Sequence, residues 1–288
     1  MPPILASVSP LKEATIAIVG TGAMAEAMIA GLLSGGHVAA TQVIASDPRA
    51  ERREAVEAKY GIRTTGSNTE AVDGADIVVL AIKPQMLLRV GRELSAVLAP
   101  DQLVISILAG STTVALGNAM RHGAVVRAMP NTPAQLSKGM TVWCATEQVS
   151  DVQRSQAAAL LTSLGKEIFV EDEKYVSMST AVSGTGPAYV FMVMEALIDA
   201  AVHLGFPRHI AHDLVIETLL GGTLLAQESG DHPAYLRNMV TSPAGTSAAA
   251  IAEMEKGRLR TVLSEAVFAA YRRTEELGRE LEEETAAE

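Results

Sequence analysis

The chain has 288 residues, more than a single domain usually contains, so we expect two domains. Its formal net charge of −10 argues against partners that are bound through a phosphate backbone, such as DNA or RNA. With 48% hydrophobic but only 3% aromatic residues, any large core must consist of aliphatic side chains and methionine. The single cysteine, Cys144, cannot form a disulfide within the chain, which is typical of a cytosolic protein.

Neither the N-terminal segment nor the longest apolar stretch predicts export or membrane insertion. Residues 1–14 contain several prolines and lack a basic segment followed by a long apolar one, so we interpret them as a loose tail. The apolar stretch 189–204 is interrupted by Glu195 and Asp199, which favours a buried helix over a membrane span. We therefore predict a cytoplasmic protein with no membrane partner.

The first half, residues 15–171, alternates predicted strands with predicted helices. The strands are expected at 15–19, 43–46, 76–82, 103–107, 124–128, 140–145 and 167–170. The helices are expected at 23–34, 49–59, 86–97, 112–121 and 152–164. This alternation predicts an α/β domain with a doubly wound, mostly parallel sheet.

The second half, residues 172–288, contains no further strand pattern. Helices are expected at 187–204, 208–228, 233–240, 246–255 and 258–281, followed by an acidic end that we expect to fray. This half is therefore predicted to be an all-helical domain, and its Ala-rich helices of low charge suit burial against a partner subunit. Gly221 and Gly222, each costing about 1 kcal/mol in a helix relative to Ala, indicate a close approach between helices.

The first chemical motif joins the first strand to the first helix. The β-branched run 15–19 leads directly into Gly20-Thr21-Gly22-Ala23-Met24-Ala25. In a dinucleotide-binding turn the first glycine makes the tight turn, the second admits a pyrophosphate, and the small third residue lets helix pack on strand. The helix N-terminus adds free N–H groups and a positive dipole end. We predict a Rossmann-type nucleotide-binding domain.

The end of the second strand bears on the cofactor phosphate. Asp47 lies where a carboxylate reaches the ribose 2′-hydroxyl, which would favour NADH. Ser46, Arg49, Arg52 and Arg53 lie close by and are equally suited to a 2′-phosphate, although the arginines also fit a solvated helix face. Both NAD(H) and NADP(H) therefore remain open.

Two further turns follow strands at the predicted cofactor edge of the sheet. Ala81 precedes Lys83-Pro84, which places a charge near phosphate or ribose, although simple strand-end punctuation fits as well. Asn131 lies between two prolines and offers an amide to nicotinamide or substrate. Ligands of such sheets bind beyond the carboxyl ends of the strands, so both turns are candidates for the cleft.

Two hydroxyl-rich turns precede helices of the second half. The run 183–187 (Ser-Gly-Thr-Gly-Pro) and the run 241–247 (Thr-Ser-Pro-Ala-Gly-Thr-Ser) are suited to hold a carboxylate by backbone N–H groups, or simply to cap the helices. His209 and His212 share a helix face without further ligands nearby, so no metal site is predicted. No Ser/His/Asp or Cys/His arrangement indicates covalent catalysis.

Taken together, these motifs resemble pyrroline-5-carboxylate reductase along nearly the whole chain, from about residue 15 to 278. The resemblance rests on Gly-x-Gly-x-Met-Ala at 20–25, Ala-x-Lys-Pro-Gln at 81–85, Met-Pro-Asn-Thr-Pro at 129–133, Ser-Gly-x-Gly-Pro-Ala-Tyr at 183–189 and Ser-Pro-x-Gly-Thr at 242–246. It implies reduction of 1-pyrroline-5-carboxylate to L-proline by NAD(P)H. It also implies a helical C-terminal domain that joins two subunits, with higher homo-oligomers built from such dimers.

The same resemblance implies roles for individual residues. The glycine turn should hold the pyrophosphate, and the remaining residues expected at the cofactor are Ser46, Asp47, Asn68, Ala81, Lys83, Pro84, Ala109, Gly110 and Asn131. The residues expected at the substrate are Ser183, Gly184, Ser242, Gly245, Thr246 and Ser247. The resemblance implies that Ser247 contacts the ring nitrogen, which makes it the expected catalytic side chain. No buried acid–base pair accompanies the motifs, so we expect no obligatory general base.

Two positions depart from the family pattern in the second turn. Ala244 replaces a glycine, which is acceptable only if its φ is negative, since a positive φ would strain the loop. Ser247 replaces a threonine and has a freer rotamer, so we expect looser positioning of the substrate.

Two alternative functions remain. A β-hydroxyacid dehydrogenase would need a catalytic lysine on the helix after Pro187, and that helix contains none. A cofactor-sensing protein without turnover is suggested only by Ala244 and Ser247, and cofactor binding without oxidation in the presence of substrate would favour it.

Overall fold

A computed structural model describes residues 9–287 of the chain. It divides into two compact units: the first comprises the chain up to Thr185 together with the residues from Ala270 onward, and the second comprises Gly186–Ala269. Each unit is described by itself below.

The first unit contains an eight-stranded sheet with the strand order β3-β2-β1-β4-β5-β6-β7-β8. The strands are β1 (Ile16–Val19), β2 (Val43–Ser46), β3 (Arg63–Thr65), β4 (Ile77–Leu80), β5 (Leu103–Ser106), β6 (Val125–Met129), β7 (Gly139–Ala145) and β8 (Gly165–Phe169). Neighbouring strands are parallel except for β6 and β7. The predicted doubly wound, mostly parallel Rossmann-type sheet is confirmed.

Within the described part of the first unit, seven α-helices lie wholly in this unit and accompany the sheet. They are α1 (Ala23–Ser34), α2 (Ala50–Tyr60), α3 (Asn68–Val72), α4 (Leu87–Ser95), α5 (Thr113–Met120), α6 (Asp151–Thr162) and α7 (Lys174–Ser179). All residues of β1, β4 and β5 are buried, as expected of strands covered on both faces. One apolar cluster includes Met28 of α1 and Leu160 of α6, and another includes Leu94 of α4 and Leu116 of α5.

The register of the sheet decides where a ligand can meet it. Val19 pairs with both Ser46 and Leu80, so β1, β2 and β4 end at the same level. The chain therefore leaves these three strands side by side at the carboxyl edge, where open α/β sheets bind their ligands.

Three short elements of this unit were not expected from the sequence. β3 has three residues at the edge of the sheet and α3 has five, so neither is long enough to show a periodic pattern. α7 begins just after residue 172, but it packs on β6 and β7 through Val176, which clusters with Val142 and Cys144. The first compact unit thus extends past the predicted boundary at residues 171 and 172, to Thr185.

The N-terminal segment is packed where the structure describes it. Leu11 is fully buried, and Gln42 Nε2 donates to the carbonyl oxygens of Leu11, Lys12 and Ala14 at 3.3, 3.0 and 2.9 Å. The predicted loose tail therefore does not describe residues 9–14, because a side chain far along the chain supplies their hydrogen bonds. Residues 1–8 lie outside the described part.

The second unit is helical, as the pattern predicted. Its elements are α8 (Gly186–His203), α9 (Arg208–Ser229), α10 (Pro233–Met239), α11 (Thr246–Lys256) and the first part of α12 (Leu259–Ala286). The interpretation of 189–204 as a buried helix is wrong for the single chain, because no residue of α8 is buried. By length and composition alone, the continuous helical stretch 174–203 is suited to cross a membrane.

The last part of α12 returns to the first unit. Leu281 is buried in the apolar cluster that contains Leu94, and Thr285 is also buried. A Cβ added to Gly278 would lie 3.3 Å from the Gly110 carbonyl oxygen, so this helix lies directly against the loop after β5. Within residues up to 287, the expected fraying from residue 280 is not seen, and α12 continues to Ala286. These residues, predicted to belong to the helical domain, thus pack as part of the first compact unit.

Candidate functional site

The turn between β1 and α1 is held between two neighbouring strand ends. Gly20 has a φ of +98°, and a Cβ at this position would lie 2.6 Å from the Ala81 carbonyl oxygen. Its N–H donates to the Ser46 carbonyl oxygen at 2.8 Å. Only glycine meets both the positive φ and the close approach, which explains the first glycine of the motif.

The second glycine leaves room for a ligand. Gly22 is the N-cap of α1 with a φ of −70°, so its backbone does not require glycine. No atom lies within 4 Å of the position that its Cβ would take. The free N–H groups of the first turn of α1 and its positive dipole end adjoin this open space, an arrangement that suits a pyrophosphate.

A first cavity of about 640 Å³ extends from the glycine turn past the ends of β2 and β4. It brings together predicted cofactor residues that are distant in sequence: Gly20, Thr21, Gly22, Ser46, Asp47, Asn68, Ala81 and Lys83. Its volume and concave shape are those of a small-molecule site.

The Asp47 carboxylate is buried, and five donors engage it. Its Oδ2 accepts from the Thr21 N–H at 3.2 Å, the Thr21 hydroxyl at 2.8 Å and Arg49 Nη2 at 3.0 Å. Its Oδ1 accepts from the Arg49 N–H at 3.0 Å and from Arg49 Nε at 2.9 Å. Burial opposes ionisation, but the Arg49 and Thr21 donors outweigh it and hold the pKa of Asp47 well below its usual range.

Two arginines of α2 hold the backbone on either side of the Thr21–Asp47 contact. Arg53 Nη1 donates to the Asp47 carbonyl oxygen at 2.8 Å, and Arg52 Nη2 bonds to the Thr21 carbonyl oxygen and to the Glu26 carboxylate. The hydrogen bond from Arg52 lowers the pKa of Glu26. Of the three arginines weighed for a 2′-phosphate, only Arg49 lines the first cavity.

A polar chain crosses the floor of the first cavity. The Ser46 hydroxyl donates to Asn68 Oδ1 at 2.8 Å, and Asn68 Nδ2 donates to Glu93 Oε2 at 2.7 Å. Arg89 pairs with the same carboxylate, its Nε lying 3.3 Å from Glu93 Oε1. The side chain of Asn68 thus links β2 to α4, beside the expected adenosine end.

A second cavity of about 350 Å³ adjoins the first at the glycine turn. Its lining includes the predicted residues Gly22, Ala23, Met24, Ala81, Lys83, Asn131 and Gly184. Gly22 and Lys83 line both cavities, and Pro84 follows Lys83 in a short 3₁₀ turn.

The Asn131 side chain is a brace within the first unit, in the sense that its hydrogen bonds join three segments of the chain. Its Oδ1 accepts from the Met140 N–H at 2.9 Å, and its Nδ2 donates to the Ser183 carbonyl oxygen at 2.9 Å. It therefore ties the loop after β6 to the start of β7 and to the segment after α7. A nicotinamide or substrate would find only one remaining amide hydrogen on this side chain.

An ion pair between the buried Arg127 and the partly exposed Glu173 holds α7 against the sheet nearby. Arg127 of β6 is 3% exposed, and its Nη1 lies 2.7 Å from Glu173 Oε1 while Nη2 donates to the Ser177 hydroxyl at 3.1 Å. Glu173 also accepts from the N–H and the hydroxyl of Thr113, each at 2.7 Å. The chain is thereby fixed just before residues 183 and 184.

Ser183 and Gly184 lie in a helical segment rather than in an open loop. Residues 180–184 form a π-turn that continues α7, a feature common at functional sites. The hydroxyls of Ser183 and Thr185 donate back to the carbonyls of Ser179 and Thr180 at 3.1 and 2.8 Å, so neither caps α8. Gly184 lines the second cavity, whereas Ser183 presents its carbonyl to Asn131.

Four predicted cofactor residues lie outside both cavities: Ala25, Pro84, Ala109 and Gly110. Ala25 is fully buried in the core, where its small size lets α1 pack on the sheet. Gly110, with a φ of +78°, faces α12, since its Cβ would lie 2.9 Å from Leu277 Cβ. Ala109, adjacent to it, lines neither cavity.

The second unit carries the other hydroxyl-rich turn. The Gly245 N–H donates to the Ser242 carbonyl oxygen at 3.1 Å, with Pro243 and Ala244 between them. Ala244 has a φ of +57°, so the turn has the form of type II with alanine where glycine is preferred. Ala244 was expected to be acceptable only with a negative φ, so its positive φ indicates that the loop is strained.

Ser242, Thr246 and Ser247 surround this turn, and Thr246 begins α11 with Gly245 as its N-cap. Among the hydrogen bonds of residues 9–287, none engages the hydroxyls of these three residues. They are therefore available to a ligand.

Sequence reasoning missed one wall of the first cavity. Met86, Arg89, Val90 and Glu93 all line it. Their spacing of three and four residues places them on one helix face, so this signal was present in the sequence after Lys83-Pro84. Gly66 and Ser67, which follow β3, and Thr69 of α3 were missed because neither short element was predicted. No group of three or more potential metal ligands is found within residues 9–287.

Two protein families match this chain, one in its first half and one in its second half. Residues 173–277 match the family described as pyrroline-5-carboxylate reductase dimerisation, and residues 15–110 match the family described as NADP oxidoreductase, coenzyme F420-dependent. The pyrroline-5-carboxylate reductase of Pseudomonas aeruginosa is 42% identical over 92% of this chain and 97% of its own length. That of Synechocystis is 40% identical over 92% of this chain and 98% of its own length.

Solved structures of pyrroline-5-carboxylate reductases are similar to this chain along most of its length. A pyrroline-5-carboxylate reductase from Coxiella burnetii superposes with a TM-score of 0.84 at 35% identity, covering 92% of this chain and 98% of that one. The Plasmodium falciparum pyrroline carboxylate reductase with NADP bound gives a TM-score of 0.82 at 26% identity, covering 93% and 99%.

The Ala244→Gly substitution should stabilise the protein by about 0.5–1 kcal/mol, because relief of the left-handed strain exceeds the entropy that glycine adds to the unfolded chain. Denaturant unfolding measures this gain. Ala249→Gly, in the interior of α11, is the matched control and should destabilise, since a helix interior disfavours glycine. Equal losses from both variants would contradict the strain at Ala244.

The Asn131→Ala substitution should lower the free energy of unfolding by about 1–3 kcal/mol, because it leaves the Met140 N–H and the Ser183 carbonyl without their partner. Asn118→Ala, at an exposed position of α5, should change stability little. Similar unfolding curves for the two variants would show that Asn131 is not a brace.

Proposed function

The chain belongs to the pyrroline-5-carboxylate reductase family, and on that premise we propose how its residues divide the reaction between cofactor and substrate. The protein is an NAD(P)H-dependent oxidoreductase that reduces 1-pyrroline-5-carboxylate to L-proline, the final step of proline biosynthesis. The observation that carries the assignment of the cofactor site is the open space at Gly22, beside the N-terminus of α1 and between the two cavities.

The two cavities of the first unit fit a dinucleotide. We assign the pyrophosphate to the glycine turn and to the first N–H groups of α1, because these donors face space that a Cβ would otherwise fill. The adenosine half is assigned to the first cavity, with Ser46, Asp47 and Asn68. The nicotinamide half is assigned to the second cavity, with Lys83 at the junction of the two.

The remaining predicted cofactor residues act through the walls of this cleft. Pro84 fixes the turn that carries Lys83, and Asn131 holds the loop after β6 in place. Ala109 and Gly110 form the loop after β5, which the end of α12 supports. Their contribution is to the shape of the carboxyl edge of the sheet.

The turn at residues 242–247 is proposed to bind the substrate. The N–H groups of the first turn of α11 suit the carboxylate, together with the hydroxyls of Ser242 and Thr246. Gly245 contributes as the N-cap of α11, because its own N–H is bonded to the Ser242 carbonyl oxygen. The Ser247 hydroxyl is assigned to the ring nitrogen. Gly184 contributes the floor of the second cavity, and Ser183 contributes by anchoring Asn131.

The reduction requires the substrate ring to be correctly oriented toward the nicotinamide, and it requires no strong acid or base. When bound, the reduced nicotinamide supplies the hydride. The protonated ring nitrogen already makes the imine carbon electrophilic, and it keeps its proton as the C=N bond becomes a single bond. Residues 242–247 therefore have two tasks, which are to fix the ring by its carboxylate and to hold the nitrogen through Ser247. No general base is required.

We propose that the second unit joins two copies of the chain. Its helices expose large apolar side chains at Val190, Phe191, Met192, Leu197, Ile210, Leu214, Leu220, Leu224, Leu225, Val262, Leu263 and Phe268. In the structure only Ala211 and Val215 of α9 are buried. An apolar surface of this extent indicates a protein–protein interface, and the matched dimerisation family indicates a second copy.

Gly221 and Gly222 support the same proposal. Both lie inside α9, and nothing lies within 4 Å of the Cβ that either would carry. Two glycines cost the helix about 1 kcal/mol each without any close neighbour in the single chain to require them. Close packing of a helix from a second copy against this face would explain why both positions are glycine. The cytoplasmic location and higher oligomers remain predictions.

The Ser247→Ala substitution should lower kcat by roughly tenfold, the effect of losing one hydrogen bond to a charged group, while the Kd for NADPH stays unchanged. Steady-state kinetics and direct cofactor titration measure the two quantities. Ser247→Thr, which keeps the hydroxyl, should retain activity. Unchanged turnover in the alanine variant would mean that this hydroxyl does not contact the reacting ring.

Replacing both Leu220 and Leu224 with Glu should shift the protein to a smaller species in sedimentation velocity, because two charges would then be buried at the interface. Val152→Glu, at an exposed position of α6, is the control and should sediment like the wild type. A double variant that keeps the mass of the wild-type oligomer would place the interface elsewhere.

A further inference from the structure

We propose that this chain selects NADPH over NADH through Arg49, and that Asp47 positions Arg49 instead of binding the ribose. The inference rests on the proposed function, in that the first cavity must hold the adenosine end of the cofactor. It goes further because the choice between the two cofactors depends on the contacts of these two side chains.

The Asp47 carboxylate has no acceptor capacity left for a ribose diol. A carboxylate offers about four lone-pair sites, and five donors from Thr21 and Arg49 already occupy them. The side chain is 5% exposed. An acidic residue that selects NADH must present free oxygens to the 2′- and 3′-hydroxyls. Asp47 would have to release Thr21, and with it the glycine turn, to do so.

Arg49, unlike Asp47, is exposed and keeps free hydrogen-bond donors. Its side chain is 65% exposed at the rim of the first cavity, yet its guanidinium is oriented by two bonds to Asp47. A guanidinium carries five N–H groups, so three remain for a ligand. A preorganised guanidinium with a free edge matches a phosphate group in geometry and charge.

The other charges around the cavity agree with an extra phosphate. Its lining contains three cationic side chains, those of Arg49, Lys83 and Arg89, and two anionic ones, those of Asp47 and Glu93. Each of the two carboxylates is paired with an arginine. A 2′-phosphate that enters this cavity therefore meets no unpaired negative charge.

Arg52 and Arg53 do not share this role. The Arg52 guanidinium bonds to the Thr21 carbonyl of the glycine turn and to Glu26, and the Arg53 guanidinium bonds to the Asp47 carbonyl after β2. Neither lines the cavity. Selectivity thus depends on one arginine, which makes it accessible to a single substitution.

The test compares the binding of NADP⁺ and NAD⁺ to the full-length protein by isothermal titration calorimetry, with kcat/KM for NADPH and NADH as the second readout. The variants are Arg49→Gln and Asp47→Asn. Arg63→Gln is the matched control, because Arg63 is an exposed arginine of β3 that lies outside the cavity and its loss changes the net charge equally.

The wild type should bind NADP⁺ more tightly than NAD⁺. Arg49→Gln should weaken NADP⁺ binding by about 10- to 100-fold, as expected for loss of charge-assisted bonds to a phosphate, with little change for NAD⁺. Asp47→Asn should also weaken NADP⁺ selectively, because Arg49 loses its orientation. Arg63→Gln should leave the ratio of the two affinities unchanged.

Three outcomes would overturn the inference: a wild type that prefers NAD⁺, an Arg49→Gln variant with an unchanged ratio, or an Asp47→Asn variant that loses NAD⁺ selectively. If Asp47→Asn does not fold, the ratio for Arg49→Gln decides alone. A wild type that binds neither cofactor would overturn the proposed function as well, which distinguishes the two failures.

Discussion

The carboxylate of Asp47 holds the turn on which the cofactor cleft depends. It accepts both the N–H and the hydroxyl of Thr21, while Gly20 lies against the Ala81 carbonyl on the other side. Because β1, β2 and β4 end at one level, fixing this turn also fixes where the open space at Gly22 and the N-terminus of α1 meet a ligand. The acidic residue at the end of β2 therefore acts first on the protein, and in our proposal it acts on the cofactor only through Arg49.

The second cavity, which adjoins the same turn, depends on a different set of bonds. Asn131 joins the loop after β6 to β7 and to Ser183, and the Arg127–Glu173 pair anchors α7 just before that segment. Burying a charged side chain such as Arg127 is costly unless its pairing geometry is good, and here Thr113 and Ser177 complete the hydrogen bonds of the pair. The expected nicotinamide end of the cleft is thus rigid, which suits a reaction that needs orientation more than acid–base chemistry.

In the single chain, the helices of the second unit leave their apolar side chains exposed to water. Its helices are apolar, yet no residue of α8, α10 or α11 is buried. Apolar surface contributes to stability only when it is removed from water, at about 25 cal/mol per Å². The proposed association with a second copy would supply that burial, and it would account equally for the two glycines of α9 and for a helix whose composition would otherwise suit a membrane.

The sequence by itself determined the alternation of strands and helices, the glycine turn, the helical second half and the family, because each rests on local periodicity or on a short motif. It left out β3, α3 and α7, which are too short to show a period. Only the tertiary structure decided the partners of Asp47, the inward face of α4 at Arg89 and Glu93, the brace at Asn131, the positive φ of Ala244 and the exposure of α8. These depend on residues far apart in the chain, as in the bonds from Thr21 to Asp47 and from Asn131 to Ser183, and no local pattern records which distant group a side chain will meet.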